Sequence, residues 1–219
     1  MNRKYIKFSF AYFLFCWIGI SICSCQDKLE NKLSINDLYT DSLLHIEPVS
    51  KVEAKNVING LVAKYSEGDS TLVMALMNSI QGTIETYLNH EANLMEKEPE
   101  YKNLSSDQIF SILNNSSDLK ELYSFGLSIT RNMVQRFPNS GDLFYYSGYY
   151  KYFLKDYNAA ISDFDLAIFH NSKLKGNCYE MKAWCYVAEN DKNSACSSFR
   201  MARDEGQEID EELISKNCY

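Results

Sequence analysis

The 219-residue chain predicts an all-α fold, on three observations. From Pro48 onward apolar residues recur at three- and four-residue steps, the spacing that gathers them on one helix face. Recognisable helix starts and stops bracket each periodic segment. Three prolines and nine glycines supply too little of the turn chemistry that an all-β chain needs about every ten residues. With 46% apolar and 23% charged residues the chain has a globular balance, which excludes disordered and fibrous classes. Twenty-two basic and 29 acidic residues give a formal charge of −7, so no phosphate-binding face and no nucleic-acid partner are expected.

The first element is a targeting segment. Arg3, Lys4 and Lys7 precede a mostly apolar run over 8–22, the layout of a secretory signal, and the run is shorter than the roughly 20 residues a spanning helix needs. It ends in Ile22, Cys23, Ser24 and Cys25, which resembles the bacterial lipoprotein box. That resemblance implies a signal peptide over 1–24, lipidation of Cys25 and a membrane anchor. The alternative is an ordinary signal cleaved near Ser24 or Cys25 to release the protein. Loss of the three basic residues leaves 19 basic against 29 acidic ones, a charge of −10. Residues 25–47 read as a polar tether. Its start, Gln26, Asp27, Lys28, Leu29 and Glu30, looks like the export signal of surface lipoproteins in some Gram-negative bacteria. The expected location is the cell envelope, at the outer membrane.

Residues 48–104 predict a helical hairpin. Ser50 and Glu53 form a capping box ahead of Val52, Val57, Ile58, Leu61, Val62 and Tyr65, and Gly68 ends that helix. Asp69 or Ser70 opens its partner, with Leu72, Val73, Leu76, Met77, Ile80, Ile84, Tyr87 and Leu88 in register. Ser105 with Gln108 caps a short helix, and Ser117 begins another that runs to Pro138.

The C-terminal part repeats itself. Gly148 matches Ala183, Ala160 matches Ala195, Phe164 matches Phe199 and Ala167 matches Ala202, each 35 residues apart. The series Phe144, Gly148, Tyr152, Ala160, Phe164, Ala167 resembles the tetratricopeptide repeat, an antiparallel helix pair with a period of about 34 residues. The resemblance implies a short solenoid: a degenerate pair over 105–140, repeats over 141–174 and 175–206, and a capping helix over 207–219. Small residues stand where the helices approach most closely, with Phe144 and Phe164 filling the space beside them. Lys182 stands where the family usually has Leu.

In that family the inner face of each first helix lines a concave groove for a peptide or a partner's helix. Carried onto this chain, the resemblance predicts a groove with Tyr145, Tyr149 and Tyr152 from the first repeat and Asn177, Glu180 and Trp184 from the second. Tyr and Trp give large contact area with few rotors and a polar tip.

Cys178, Cys185, Cys196 and Cys218 remain after export. Cys178 and Cys185 lie roughly 10 Å apart along one helix, too far to bond. A turn near residue 206 sets Cys196 level with the end of an antiparallel cap, which favours a Cys196–Cys218 disulfide. Pairing of Cys185 with Cys196, or four free thiols, are the alternatives. No CxxC motif, phosphate loop, calcium loop or nucleophile elbow is present, and His45, His90 and His170 lie in separate segments. No metal, cofactor or catalytic set is expected. The sequence therefore points to a lipid-anchored adaptor or assembly factor that binds a protein or peptide, with a glycan-binding accessory lipoprotein using a Tyr149/Trp184 platform as the alternative.

Overall fold

The structure, a computed structural model, describes residues 33–210 and 214–215. The signal segment, Cys25 and Cys218 lie outside the described residues. The described chain is helical throughout: α1 (Ile35–Tyr39), a 3₁₀ turn (Ser42–His45), α2 (Lys51–Tyr65), α3 (Ser70–Met95), α4 (Ser106–Asn114), α5 (Ser117–Arg136), α6 (Gly141–Phe153), α7 (Tyr157–Phe169), α8 (Lys175–Ala188) and α9 (Lys192–Asp204). Among the described residues no helix is long and apolar enough to cross a membrane.

Consecutive helices stack as pairs. α6 packs on α7 and α8 on α9, with α5 against α6 and α7 against α8, so 117–204 is a helical-repeat solenoid. All eight residues of the 35-residue correspondence are packed inside it. Ala160, Phe164, Ala167, Ala183, Ala195, Phe199 and Ala202 are fully buried, and a Cβ on Gly148 would stand 2.7 Å from Phe164 Cε1. A side chain at 148 would push the ring, and the helix carrying it, away.

The period is written in the backbone as well. Lys155, Asn171, Asn190 and Gly206 have φ of 65°, 53°, 61° and 91°, and Asn190 follows Lys155, and Gly206 follows Asn171, by 35 residues. After each, the next N–H bonds back five residues: Asp156 to the carbonyl of Lys151, Ser172 to Ala167, Asp191 to Tyr186 and Gln207 to Ala202. These are Schellman closures, in which one left-handed residue satisfies the last helical carbonyls and reverses the chain. Lys182 is explained by tertiary pairing, because its ammonium reaches the carboxylate of Asp165 on α7.

The N-terminal part is organised around α3, which packs against α1, α2, α4, α5 and α6. α3 buries Leu72, Val73, Leu76, Met77, Ile80, Ile84 and Tyr87. α4 lies mainly on α3 and only slightly on α5, so the expected pair over 105–140 is not a hairpin of its own. Val52, expected on the inner face of α2, is exposed.

Two expected boundaries are corrected. Residues 33–47 are folded onto the body rather than extended as tether. Ser34 and Asp37 form a reciprocal capping box, Leu38 is fully buried, and Asp41 accepts from Tyr65 Oη at 2.7 Å and Lys64 Nζ at 2.9 Å. One buried leucine and one bonded carboxylate anchor a segment too short to show helical periodicity. At the other end, residues 207–210 are not helical, although Ile214 and Ser215 are. Gly206 reverses the chain, and Gln207 then reaches the Asn177 side chain at 3.4 Å instead of continuing a helix.

Candidate functional site

The repeat presents α6 and α8 side by side as its first helices. α6 is buried on nearly all sides, from Leu143 through Tyr150, because α7 covers one face and α3 and α5 the others. The small side of α6, at Gly148, meets Phe164, while Tyr149 reaches Glu85 on α3 and Tyr150 lies on Gly126 of α5.

That placement corrects the expected groove. Tyr145 and Tyr149 are only 5% and 6% exposed, and they do not line an open concave face. Helix α3 occupies the space. Its apolar residues extend around more than one face, and the inner side of a short solenoid is the large apolar surface within reach. Tyr149 Oη donates to Glu85 Oε1 at 2.8 Å, and Gln81 Nε2 donates to the same oxygen at 2.8 Å. Burial drives the Tyr149 and Tyr145 hydroxyls well above their ordinary pKa, with the Glu85 charge adding to both. The Glu85 charge acts in the same direction on Tyr123, Tyr146 and Tyr150, each of which burial already raises.

Tyr152 is half-buried at the α6–α7 turn, packed on Phe153 and Tyr157 with ring centroids 5.1 Å and 5.8 Å away, and burial pushes its hydroxyl up to about 12. Trp184 stands edge-on to Phe199 at 5.4 Å, beside Ile209 of the C-terminal segment. Asn177 is half-buried and accepts from Gln207. Glu180 is half-buried on α8. Burial raises its pKa, and the indole N–H of Trp184 one turn away partly offsets this. Tyr149 and Trp184 are thus held by different neighbours and do not form one flat platform.

Cys196 is disulfide-bonded, while Cys178 and Cys185 are free, which removes the Cys185–Cys196 alternative. Burial pushes both free thiols up to about 12, so they are packing groups with negligible thiolate at neutral pH. His170 stacks on Phe144 at 5.4 Å. Among the described residues no three His, Cys, Asp or Glu side chains converge to hold a metal.

Glu85 is the residue that sequence reading missed. On α3 it sits beside Ile84 in an ordinary amphipathic pattern, and nothing local links it to a tyrosine 64 positions later. Glu180, by contrast, is named by its place on the repeat, and the structure leaves it half-buried on α8.

Fold and site together define an all-α helical-repeat protein whose groove is partly filled by its own N-terminal helix. No family model matches the chain, and no curated protein and no solved structure matches it either.

Proposed function

We propose that this is a lipid-anchored envelope protein of the tetratricopeptide type that serves as an adaptor or assembly factor by binding another protein. The anchor reading rests on Ile22, Cys23, Ser24 and Cys25 behind an apolar run. Acyl chains contribute about 0.8 kcal/mol per buried CH₂, so two or three hold a protein on a membrane lastingly. The observation that carries the binding reading is a row of half-buried side chains along α8. There Asn177, Glu180 and Trp184, three and four residues apart on one helix, are left half-buried. Half-buried polar and aromatic side chains on a rigid scaffold are the composition of a protein-binding hot spot. A sugar platform needs a solvent-open ring pair, which favours the protein partner over the glycan.

Two measurements test the reading. Cys25→Ser is expected to abolish metabolic labelling with palmitate and to move the protein out of the membrane fraction; unchanged labelling sinks the anchor. Crosslinking and pull-down from intact envelopes is expected to recover a defined protein with the wild type, and recovery of none sinks the adaptor.

A further inference from the structure

Ten large apolar side chains are exposed among the described residues, and five of them, Leu33, Tyr39, Ile46, Val49 and Val52, fall within residues 33–52. Ile46 is 44% exposed, Val49 53% and Val52 63%, and these three follow at three-residue steps from the end of the 3₁₀ turn into the first turn of α2. A single exposed apolar residue means nothing, but a cluster in so short a stretch marks an interaction surface.

The stretch is firmly seated on the body. Leu38 and Pro48 are buried, a Cβ on Gly60 of α2 would stand 2.7 Å from Leu43 Cδ1, and Asp41 is bonded to Tyr65 and Lys64. Held at those points, residues 33–50 run along α2 from its last turn back to its first. Val49 precedes the N-cap Ser50, a place where an apolar side chain commonly packs on the fourth helical residue. Here that residue is Ala54, whose methyl group gives little to pack on, and Val49 stays outside.

Two facts decide what the stretch meets. The first is the length of chain before it. A tether over 25–47 would span up to about 80 Å, but with 33–47 folded only residues 26–32 separate Cys25 from Leu33, at most about 29 Å. Acyl chains at Cys25 therefore keep Leu33, and the residues that follow it, within that reach of the bilayer. The second fact is charge. Lys51 is paired with Asp118 and Glu121, Lys55 with Glu121 and Lys64 with Asp41, so the lysines beside the exposed valines are already matched. The stretch thus offers apolar contact and no lysine for an anionic partner.

We infer that residues 33–52 rest on the membrane that holds the anchor, with Ile46, Val49 and Val52 sunk into the boundary between headgroups and acyl chains of zwitterionic phospholipid. This goes beyond the adaptor reading and rests on the lipid anchor. It leaves the row on α8 to the protein partner.

The test places the lipidated full chain in phosphatidylcholine vesicles with brominated acyl chains, which quench a tryptophan on contact. Once the segment holding Trp17 is removed, Trp184 is the one native tryptophan and serves as reference. Val52→Trp is expected to add fluorescence that brominated lipid quenches on the order of three-fold more than that added by Met201→Trp, at an exposed site on α9. Raised salt should not weaken the effect, and added phosphatidylglycerol should not strengthen it. In the Val52→Trp chain, Ile46→Ser with Val49→Ser should cut the quenching about two-fold and leave Tm unchanged, because both side chains are exposed.

Equal quenching at 52 and 201 overturns the inference, as does quenching that the two serines leave untouched. A tryptophan at 52 that is shielded from aqueous iodide yet not quenched by brominated lipid also overturns it, since protein, a second copy or the partner, then covers the stretch. Palmitate labelling separates this from the parent reading. Labelling without quenching at 52 leaves the anchor standing and removes the membrane contact; absence of labelling removes both.

Discussion

In residues 33–136 each helix begins on a side chain that accepts a backbone N–H: Ser34, Asp41, Ser50, Asp69, Ser105 and Ser116. In the repeat half α6, α7 and α8 begin with no such cap, and only Asp191 supplies one, to α9. There the helices are defined at their ends instead, by Lys155, Asn171, Asn190 and Gly206 in left-handed conformation. The cores differ in the same way. The N-terminal half packs branched and straight aliphatics around α3, while the repeat half interlocks Phe164 with Gly148 and lays Tyr150 on Gly126. Side-chain caps and aliphatic stripes tolerate small shifts. Ring-on-glycine contacts and fixed turns set the helix spacing closely, as a repeating unit requires.

Paired core truncations test that contrast with the largest effect. Phe164→Ala in the repeat half should cost about 3–5 kcal/mol and Leu76→Ala in α3 about 2–5 kcal/mol, read by chemical denaturation. Since α3 packs on α6, both should move one common transition; two separate transitions would show that the halves fold independently. Gly141→Ala comes next. Its Cβ would stand 2.7 Å from both the Ala167 carbonyl oxygen and the Ser172 backbone nitrogen, and backbone cannot step aside, so a loss of about 1–3 kcal/mol or more is expected.

The end-defining devices give smaller, opposite effects. Ser116→Ala should lose about 1 kcal/mol, whereas Lys155→Gly should gain up to about 1 kcal/mol by relieving a side chain at φ 65°. Loss of stability in Lys155→Gly would mean the turn is held by its side chain. Tyr150→Phe should gain about 1 kcal/mol, since it removes a sealed hydroxyl without a partner.

The pH response should split between the halves. Lys51 and Lys55 hold Glu121 down at about 2, below its unfolded value of 4.5. Its contribution is therefore present above pH 4.5 and lost as pH falls toward 2. Glu180 is raised, so between the ordinary carboxyl value and its own the folded state holds a proton that the unfolded chain has released, and stability falls as pH rises through that window. Melting curves against pH should show Glu121→Gln flattening the acid limb, and Glu180→Gln raising Tm at pH 7 with no gain at pH 3. A rise in Tm together with lost capture of the partner by Glu180→Gln in the pull-down is the signature expected of a binding residue held at a cost in stability.

Helix identity and most boundaries were legible in the sequence, because caps and apolar periodicity act over four residues. The Ser105 and Gln108 capping box stands as read, and the repeat register at Gly148, Ala160, Phe164 and Ala167 maps onto fully interlocked positions. The short α1 escaped, since five residues hold no period and its anchor, Asp41 to Tyr65, spans 24 positions. The groove assignment was half legible. Repeat position named the residues, but Tyr149 is bonded to Glu85 of α3, Tyr152 packs on Tyr157 at the α6–α7 turn and Trp184 stands against Phe199 of α9.

By itself, then, the sequence determined an all-helical chain and the 35-residue repeat with its small and aromatic positions. Tertiary structure decided which of those positions are left to meet something else. α3 covers Tyr149 and brings Glu85 across 64 residues to its hydroxyl, while Asn177, Glu180 and Trp184 on α8 stay half-buried. Local pattern cannot encode that outcome, because which apolar face covers which groove is set by the competition of all the faces for one another once the chain has closed.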